Sequence, residues 1–288
     1  MGLGDLGYAA VASLQSIDRW IATINSNMAG SGRVGYKASE VKFGGGTVSS
    51  DRPIVAPRLG VNIAEQSLGV AQTTVDYSQG AVVASTDFAH MAIQRTTATP
   101  GMFILASEVD NATGIPTANA SYYYTFDGEF HFDPNGRLIN NDGLFVVADR
   151  DGDGLVNDES VIDINNAGDV VNDQIALNRM AIATFPNPQL GLEFSRYGAT
   201  VFQETGANSL LAPPAGRVVN PDAVGNYDNA NAGFQGSGRV IPNALEASNS
   251  SLTAETPKLA LAQKMYAAIA KVISVALQNV DVVLNLSR

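Results

Sequence analysis

Two apolar stripes, one near each end of the chain, limit what this sequence can fold into. Leu14, Ile17, Ile21, Ile24 and Met28 follow one another at spacings of 3, 4, 3 and 4. Tyr266, Ile269, Ile273, Ala276, Val280 and Val283 repeat that rhythm near the far end. Alternating steps of three and four put side chains on one narrow face of a helix, the seam of a coiled coil. Both ends are therefore predicted to be helical. Gly30 and Gly32 stop the first helix, because glycine accepts the left-handed conformation that follows a helix C-terminus. Thr256-Pro257 starts the second, with threonine as cap and proline at the first helical position. Two such helices can pack on a globular body, or they can pair with each other as a coiled coil. The glycine-rich stretch 30–46, with Gly44-Gly45-Gly46, favours pairing by acting as a hinge.

The middle of the chain reads differently. Short β-prone runs such as Met102-Phe-Ile-Leu, Ser121-Tyr-Tyr-Tyr-Thr-Phe, Leu144-Phe-Val-Val and Met180-Ala-Ile-Ala-Thr-Phe alternate with turn residues. Asp127-Gly128, Asn135-Gly136 and Asp142-Gly143 are tight-turn signals, so residues 122–147 are predicted to form a four-strand meander. Residues 212–238, rich in Pro, Asn and Gly, read as a long loop. The expected fold is a mainly β body inserted between N- and C-terminal α-helices that pair as a coiled coil. Residues 1–35 plus 256–288 are the helical core domain, and 36–255 the β-rich outer domain.

Composition removes several classes of function. Lys and Arg number 17 against 28 Asp and Glu, a formal net charge of −11. That balance argues against a nucleic-acid surface, which needs a basic stripe against phosphate. No uninterrupted apolar run reaches the roughly 18 residues of a membrane span. The first residues carry no basic segment, so no cleaved secretory signal is expected. There is no cysteine, and the two histidines are His90 and His131. His131 alternates with Phe130 and Phe132 and is expected on the outer face of its strand. Gly30-Ser-Gly-Arg-Val-Gly35 matches GxGxxG, but it follows a helix and precedes none, so it reads as a helix stop. Trp20 reads as a packing residue at a helix contact. No catalytic constellation is present in the pattern, and the chain is not expected to be an enzyme.

One motif carries specific chemistry. Asp149, Asp151, Asp153 and Asn157 fall at positions 1, 3, 5 and 9 of a calcium loop, with Gly154 at 6 and the Leu155 carbonyl at 7. Alternate acids around a glycine turn converge on one point, where a hard cation relieves their repulsion. Ser160 stands where an EF-hand loop has its last glutamate, and Asp158 or Glu159 is the substitute. The competing reading is a solvated acidic turn. Calcium is thus the cofactor to expect, if there is one.

Four blocks together resemble the bacterial flagellar hook and rod protein family. They are residues 14–29 with Gly35-Tyr36-Lys37; Asp76-Tyr-Ser-Gln-Gly80 with Ala92-Ile93 and Met102-Phe-Ile-Leu; Thr125-Phe-Asp-Gly-Glu-Phe with 135–144; and residues 238–286, including Leu245-Glu-Ala-Ser-Asn249, Ala262-Gln263-Lys264-Met-Tyr266 and Ala270-Lys271-Val272-Ile273. Departures include Lys264 where the family has Arg, and the acidic 149–159 loop. The resemblance implies a structural subunit that polymerises into a helical tube or filament, with terminal coiled coils inside and the β body outside. Its partners would be other copies of itself and other rod- or hook-type proteins. Its place would be an extracellular bacterial appendage, a flagellar basal body or hook-like filament, reached by export without a cleaved signal. A calcium-binding surface module or adhesin outside any flagellum is the alternative.

Overall fold

The computed structural model of the chain describes residues 3–45, 48–50, 63–65, 67–95, 100–149, 160–166, 168–171, 174–175, 180–185, 187–204, 218–219 and 239–286. Along the sequence run α1 (Leu3–Gly30), β1 (Ser39–Gly45), β2 (Val48–Ser50), β3 (Ile63–Glu65), β4 (Leu68–Val75), β5 (Val82–Ala84), β6 (Met91–Gln94) and β7 (Gly101–Ala106). Then come β8 (Tyr122–Thr125), β9 (Phe130–Phe132), β10 (Leu138–Asn140), β11 (Phe145–Val146), β12 (Val170–Val171), β13 (Gln174–Ile175) and β14 (Ile182–Thr184). The four-residue α2 (Pro188–Gly191) leads to β15 (Leu192–Ser195), β16 (Gly198–Glu204), β17 (Val218–Val219), β18 (Arg239–Pro242), β19 (Ala244–Glu246) and α3 (Leu252–Leu286). The chain forms two compact units, one of residues 1–29, 39–76 and 251–288, the other of 30–38 and 77–250.

The first unit holds both terminal helices and a long antiparallel hairpin. In that hairpin β1 pairs with β4 from Ser39↔Val75 to Gly45↔Leu68, with a bulge at Lys42/Phe43. Residues 39–45, inside the glycine-rich stretch expected to act as a hinge, are thus strand. Gly44 and Gly45 sit opposite Gly69 and Leu68, a register that glycine weakens without abolishing. Three polar side chains of α1 pin the hairpin at both ends. Asn27 Nδ2 donates to Ser39 O and its Oδ1 accepts from Ser39 N, each at 2.8 Å. Eleven to fourteen residues earlier, three to four turns away on the same face, Ser16 Oγ donates to Leu68 O and Ser13 Oγ accepts from Leu68 N, both at 2.9 Å.

α3 begins at Leu252, ahead of the start expected from Thr256-Pro257. Ser251 O accepts from the N–H groups of both Ala254 and Glu255 at 3.0 Å, so a turn is already closed before the proline. Pro257 removes one later hydrogen bond, while Thr256 Oγ1 donates to Leu252 O at 2.7 Å. Over 252–282, α3 is long and apolar enough, by length and composition, to cross a membrane. This departs from the sequence reading because mean hydropathy absorbs isolated charges that interrupt an apolar run. One such helix does not make a span.

The second unit is built on a nine-stranded sheet whose main path is β15-β16-β8-β7-β11-β10-β9, all antiparallel among the described strands, with β14 joined to β7 and β17 to β14. β7 is its centre. All six of its residues are buried, as expected for a run without polar alternation. One edge of β7 pairs with β8, and the other is shared by β14 at Gly101–Phe103 and β11 at Leu105–Ala106. Phe103, Leu105, Phe130, Leu138, Val146, Ile162, Ile182 and Val201 lie in one buried cluster on this frame.

The expected meander is present only in β9, β10 and β11. β8 leaves that path and pairs with β7 and β16. The reason is at Asp127-Gly128. Met91 N donates to Gly128 O at 3.0 Å, and a Cβ on Gly128 would lie 1.6 Å from Met91 O. That glycine serves a long-range backbone approach instead of a hairpin turn. Of the stretch 212–238 read as a loop, only β17 lies within the described residues, paired with Ala183 and Thr184.

Asn27→Ala leaves both backbone groups of Ser39 without their partners. It is expected to cost about 1–3 kcal/mol in denaturant unfolding followed by helical circular dichroism.

Candidate functional site

Pieces of the four resemblance blocks, around Lys37, Ser78, Phe126 and Glu246 to Asn249, meet at one place within the second unit. Lys37, 1 % exposed, is the hub. Its Nζ donates to Glu246 Oε1 at 2.5 Å and to Ser78 O at 2.9 Å, and lies 4.4 Å from the centre of the Phe126 ring. Glu246 Oε1 also accepts from Gly80 N at 2.8 Å, while Glu246 O accepts from Gly35 N at 2.7 Å. Asn249 completes the junction. Its Oδ1 accepts from Ala38 N at 2.7 Å, its Nδ2 donates to Ser78 O at 3.1 Å, and its backbone N donates to Tyr36 O. Gln79 extends it toward β6 by donating to Ile93 O at 2.6 Å and accepting from Arg95 N at 3.0 Å. Arg95 in turn reaches Tyr77 O.

Each residue type follows from the geometry. A lysine stem spans the apolar ring while its head finds two oxygens, so a buried ammonium is fully answered. Gly80 has to be glycine, because a Cβ there would lie 1.9 Å from Ala247 O. Asn249 supplies the donor and the acceptor that two passing backbones require. Nothing in this arrangement positions a nucleophile or a proton-transfer pair. It is a tie between chain segments up to 209 residues apart.

Asp127, beside this junction, is a buried carboxyl whose ionisation is disfavoured. Burial pushes its carboxyl up to about 6; the Glu129 charge adds to the rise, while the Glu129 N–H and Arg33 oppose it.

In the first unit, Ile17 and Ile24 of the N-terminal stripe are fully buried, and Leu14, Ile21 and Met28 are half-buried. Ile17, Ile24 and Ala262 form a cluster against which Trp20, Ile21, Met28, Leu68, Leu259, Met265 and Ile269 pack. Of the C-terminal stripe, only Ile269 belongs to that cluster. Ile273 and Val280 are half-buried, Ala276 is buried, Tyr266 is exposed, and the side chain of Val283 lies outside the described set. The two helices share apolar contacts near the start of α3, and a continuous coiled-coil seam is not what the cluster traces. Trp20 packs edge-on against Phe43 of β1 at 5.3 Å, as a helix-contact residue should.

The calcium reading falls mostly outside the described residues. Asp149, three residues past the end of β11, is buried and described, but Asp151, Asp153, Leu155 and Asn157 are not among them. Among the described residues no group of three His, Asp or Glu side chains is placed to hold a metal. His131 is exposed, as its alternation predicts. His90 Nδ1 lies 2.7 Å from Ser85 Oγ, and Asp87 caps Ala89 N in the same short loop.

Sequence reasoning missed Lys37, Ser78, Glu246 and Asn249 as a unit. The signal available was their common membership in the resemblance blocks.

Both ends of the chain thus share one helical unit, and pieces of the motif blocks are tied together inside the β body. No protein-family model matches the chain. Among curated proteins it is similar to the flagellar basal-body rod protein FlgG of Borreliella burgdorferi, 27 % identical over 192 residues, 64 % of each chain. It is similar to that of Buchnera aphidicola, 27 % identical over 56 % of this chain and 55 % of the relative. It is also similar to that of Bacillus subtilis, 24 % identical over 98 % of both. The chain spans less than two thirds of the first two relatives and nearly all of the third. The similarity to flagellar basal-body rod proteins therefore runs through nearly the whole chain.

Two outcomes test the junction. Lys37→Met leaves Glu246 buried without its cation and is expected to lower the stability of the second unit by about 3–5 kcal/mol in denaturant unfolding. Asp127→Asn addresses pH. The folded-state pKa of Asp127 is raised, so its contribution to stability is fully present below about pH 4 and is lost as pH rises through about 6. Asparagine removes the buried charge and is expected to add on the order of 2 kcal/mol at pH 7 and little at pH 4. Thermal melts of both proteins at the two pH values check this.

Proposed function

We propose that this chain is a structural subunit that polymerises into a helical tube or filament of the flagellar rod type. The observation that carries the reading is the composition of the first unit. It gathers both ends of the chain and leaves Leu261, Val272, Val275, Leu277, Val282 and Leu286 of α3 exposed. That much uncovered apolar side chain on one element is the mark of an interaction surface. A head-to-tail contact whose rotation does not close gives an open helical polymer. The names of the relatives support this role and a site in a flagellar basal body. Its partners are then further copies of itself and other rod proteins. Export without a cleaved signal follows from the same reading.

Electron microscopy of the purified chain in negative stain tests the proposal. Filaments or tubes are expected, and dispersed particles under all conditions would contradict it. Ile21→Asp places a carboxylate in the helical cluster at a cost of several kcal/mol. It is expected to abolish filaments while the melting of the second unit stays unchanged.

A further inference from the structure

A cleft of about 480 Å³ opens on the second unit and shares no residue with the Lys37 junction. Its size lies within the range of small-molecule sites. Three turn segments wall it, around Asn111–Gly114, Asn135–Arg137 and Ser160–Asn166. They are tied to one another. Val161 N donates to Gly114 O at 3.0 Å, Ile164 N to Gly136 O at 2.8 Å, and Asn165 Nδ2 to Asn135 O at 2.9 Å. Gly136, at φ +90°, permits the last approach, because a Cβ there would lie 2.3 Å from Asn165 Nδ2. A wall held in this way is shaped before any ligand arrives, which lowers the cost of binding.

Arg137 is the cation of that wall, its side chain only 9 % exposed. Nε is paired with Asp133 Oδ2, Nη1 donates to Asn111 Oδ1 at 3.3 Å, and Cζ lies 4.8 Å from the centre of the Phe145 ring. The plane of the guanidinium is thus fixed, while Nη2 makes no hydrogen bond among the described residues. Arg137 and Asp163 are opposite one another in an isolated antiparallel bridge, so their side chains leave on the same face. Asp163 Oδ1 accepts from Asn165 N at 2.7 Å and from Asn165 Nδ2 at 3.0 Å. Asp163 Oδ2 and Asn111 Nδ2 are unengaged among the described residues. Spare donors and spare acceptors therefore share one wall.

That mixture selects among ligands. A phosphate or carboxylate meets an arginine whose charge Asp133 already answers, and is repelled by Asp163 in a chain of net charge −11. A hard metal ion needs several oxygen ligands and finds one wall carboxylate beside an arginine. A docked peptide needs pockets for its side chains, and the apolar side chains of the described wall are Ala112 and Val161. A hydroxyl both donates and accepts. Adjacent hydroxyls on one ring match a wall that offers both.

We infer that this cleft binds a neutral saccharide, with Arg137 Nη2 and Asn111 Nδ2 donating to neighbouring ring hydroxyls and Asp163 Oδ2 accepting from them. No aromatic side chain lines the cleft among the described residues, so binding rests on hydrogen bonds and is weak. The wall lies wholly in the second unit, and the inference is independent of the polymerising role proposed above.

Saturation-transfer-difference NMR on the full chain, with maltotriose, chitotriose and galactose as probes, tests it. Transfer to the ring protons of at least one of these sugars is expected. Asn111→Ala, at an exposed position, and Asp163→Asn are each expected to weaken that sugar about tenfold, the loss of one good hydrogen bond. The melting midpoint of the second unit checks that each variant is folded, and Asn111→Ala decides alone if Asp163→Asn is not. Glucuronic acid is expected to give less transfer than glucose, because Asp163 repels its carboxylate. No transfer to any of the three sugars overturns the inference. So does transfer that the folded variants leave unchanged, which puts the sugar elsewhere. Glucuronic acid bound as well as glucose, or better, assigns the cleft to anions and also overturns it.

Discussion

The buried pair of Lys37 and Glu246 is the interaction on which the second unit's integrity depends. The chain passes between the two units four times, after residues 29, 38, 76 and 250. The segments that enter or leave the β body at those passages, 30–38, 77–80 and 246–250, are held to one another by that ion pair, by Ser78 O and by Asn249. Closing long loops at one point costs chain entropy once, and thereafter the strands that begin there start in register. β5 and β19 illustrate it. Gly80 N binds Glu246 Oε1, Ala247 N donates to Ala81 O, and the antiparallel pair from Val82↔Glu246 to Ala84↔Ala244 follows directly.

The two units answer to different physics. The β body packs its main apolar cluster around β7 while Val83, Ile164, Leu190 and Phe194 stay exposed, and polar side chains tie turns such as Asp133–Arg137, where Arg137 Nε meets Asp133 Oδ2 at 3.1 Å. The helical unit is only partly closed. Its cluster ends near Ile269, while α3 runs on to Leu286. Helices gain most of their stability from packing an apolar face. Among the described residues, the apolar cluster reaches only Ile269 of this 35-residue helix, although Ala276 beyond it is also buried.

What the sequence made legible was local. The stripe on α1 and the β-prone runs of β7, β8 and β14 were readable because spacing and side-chain type act within a few residues. The 39–45 glycines misled because backbone pairing with β4 overrides their flexibility. Asp127-Gly128 misled because Met91, 36 or 37 residues away in the chain, decides its geometry. The junction was illegible as chemistry, since Lys37 and Glu246 are 209 residues apart and no periodicity links them.

The central claim is that the far half of α3 is completed by other copies of the chain. Hydrogen exchange on isolated and assembled protein addresses it most directly. Amides of residues 270–286 are expected to exchange rapidly in the isolated chain and slowly after assembly, with β7 protected in both. Equal, strong protection of 270–286 in the isolated chain would contradict the account.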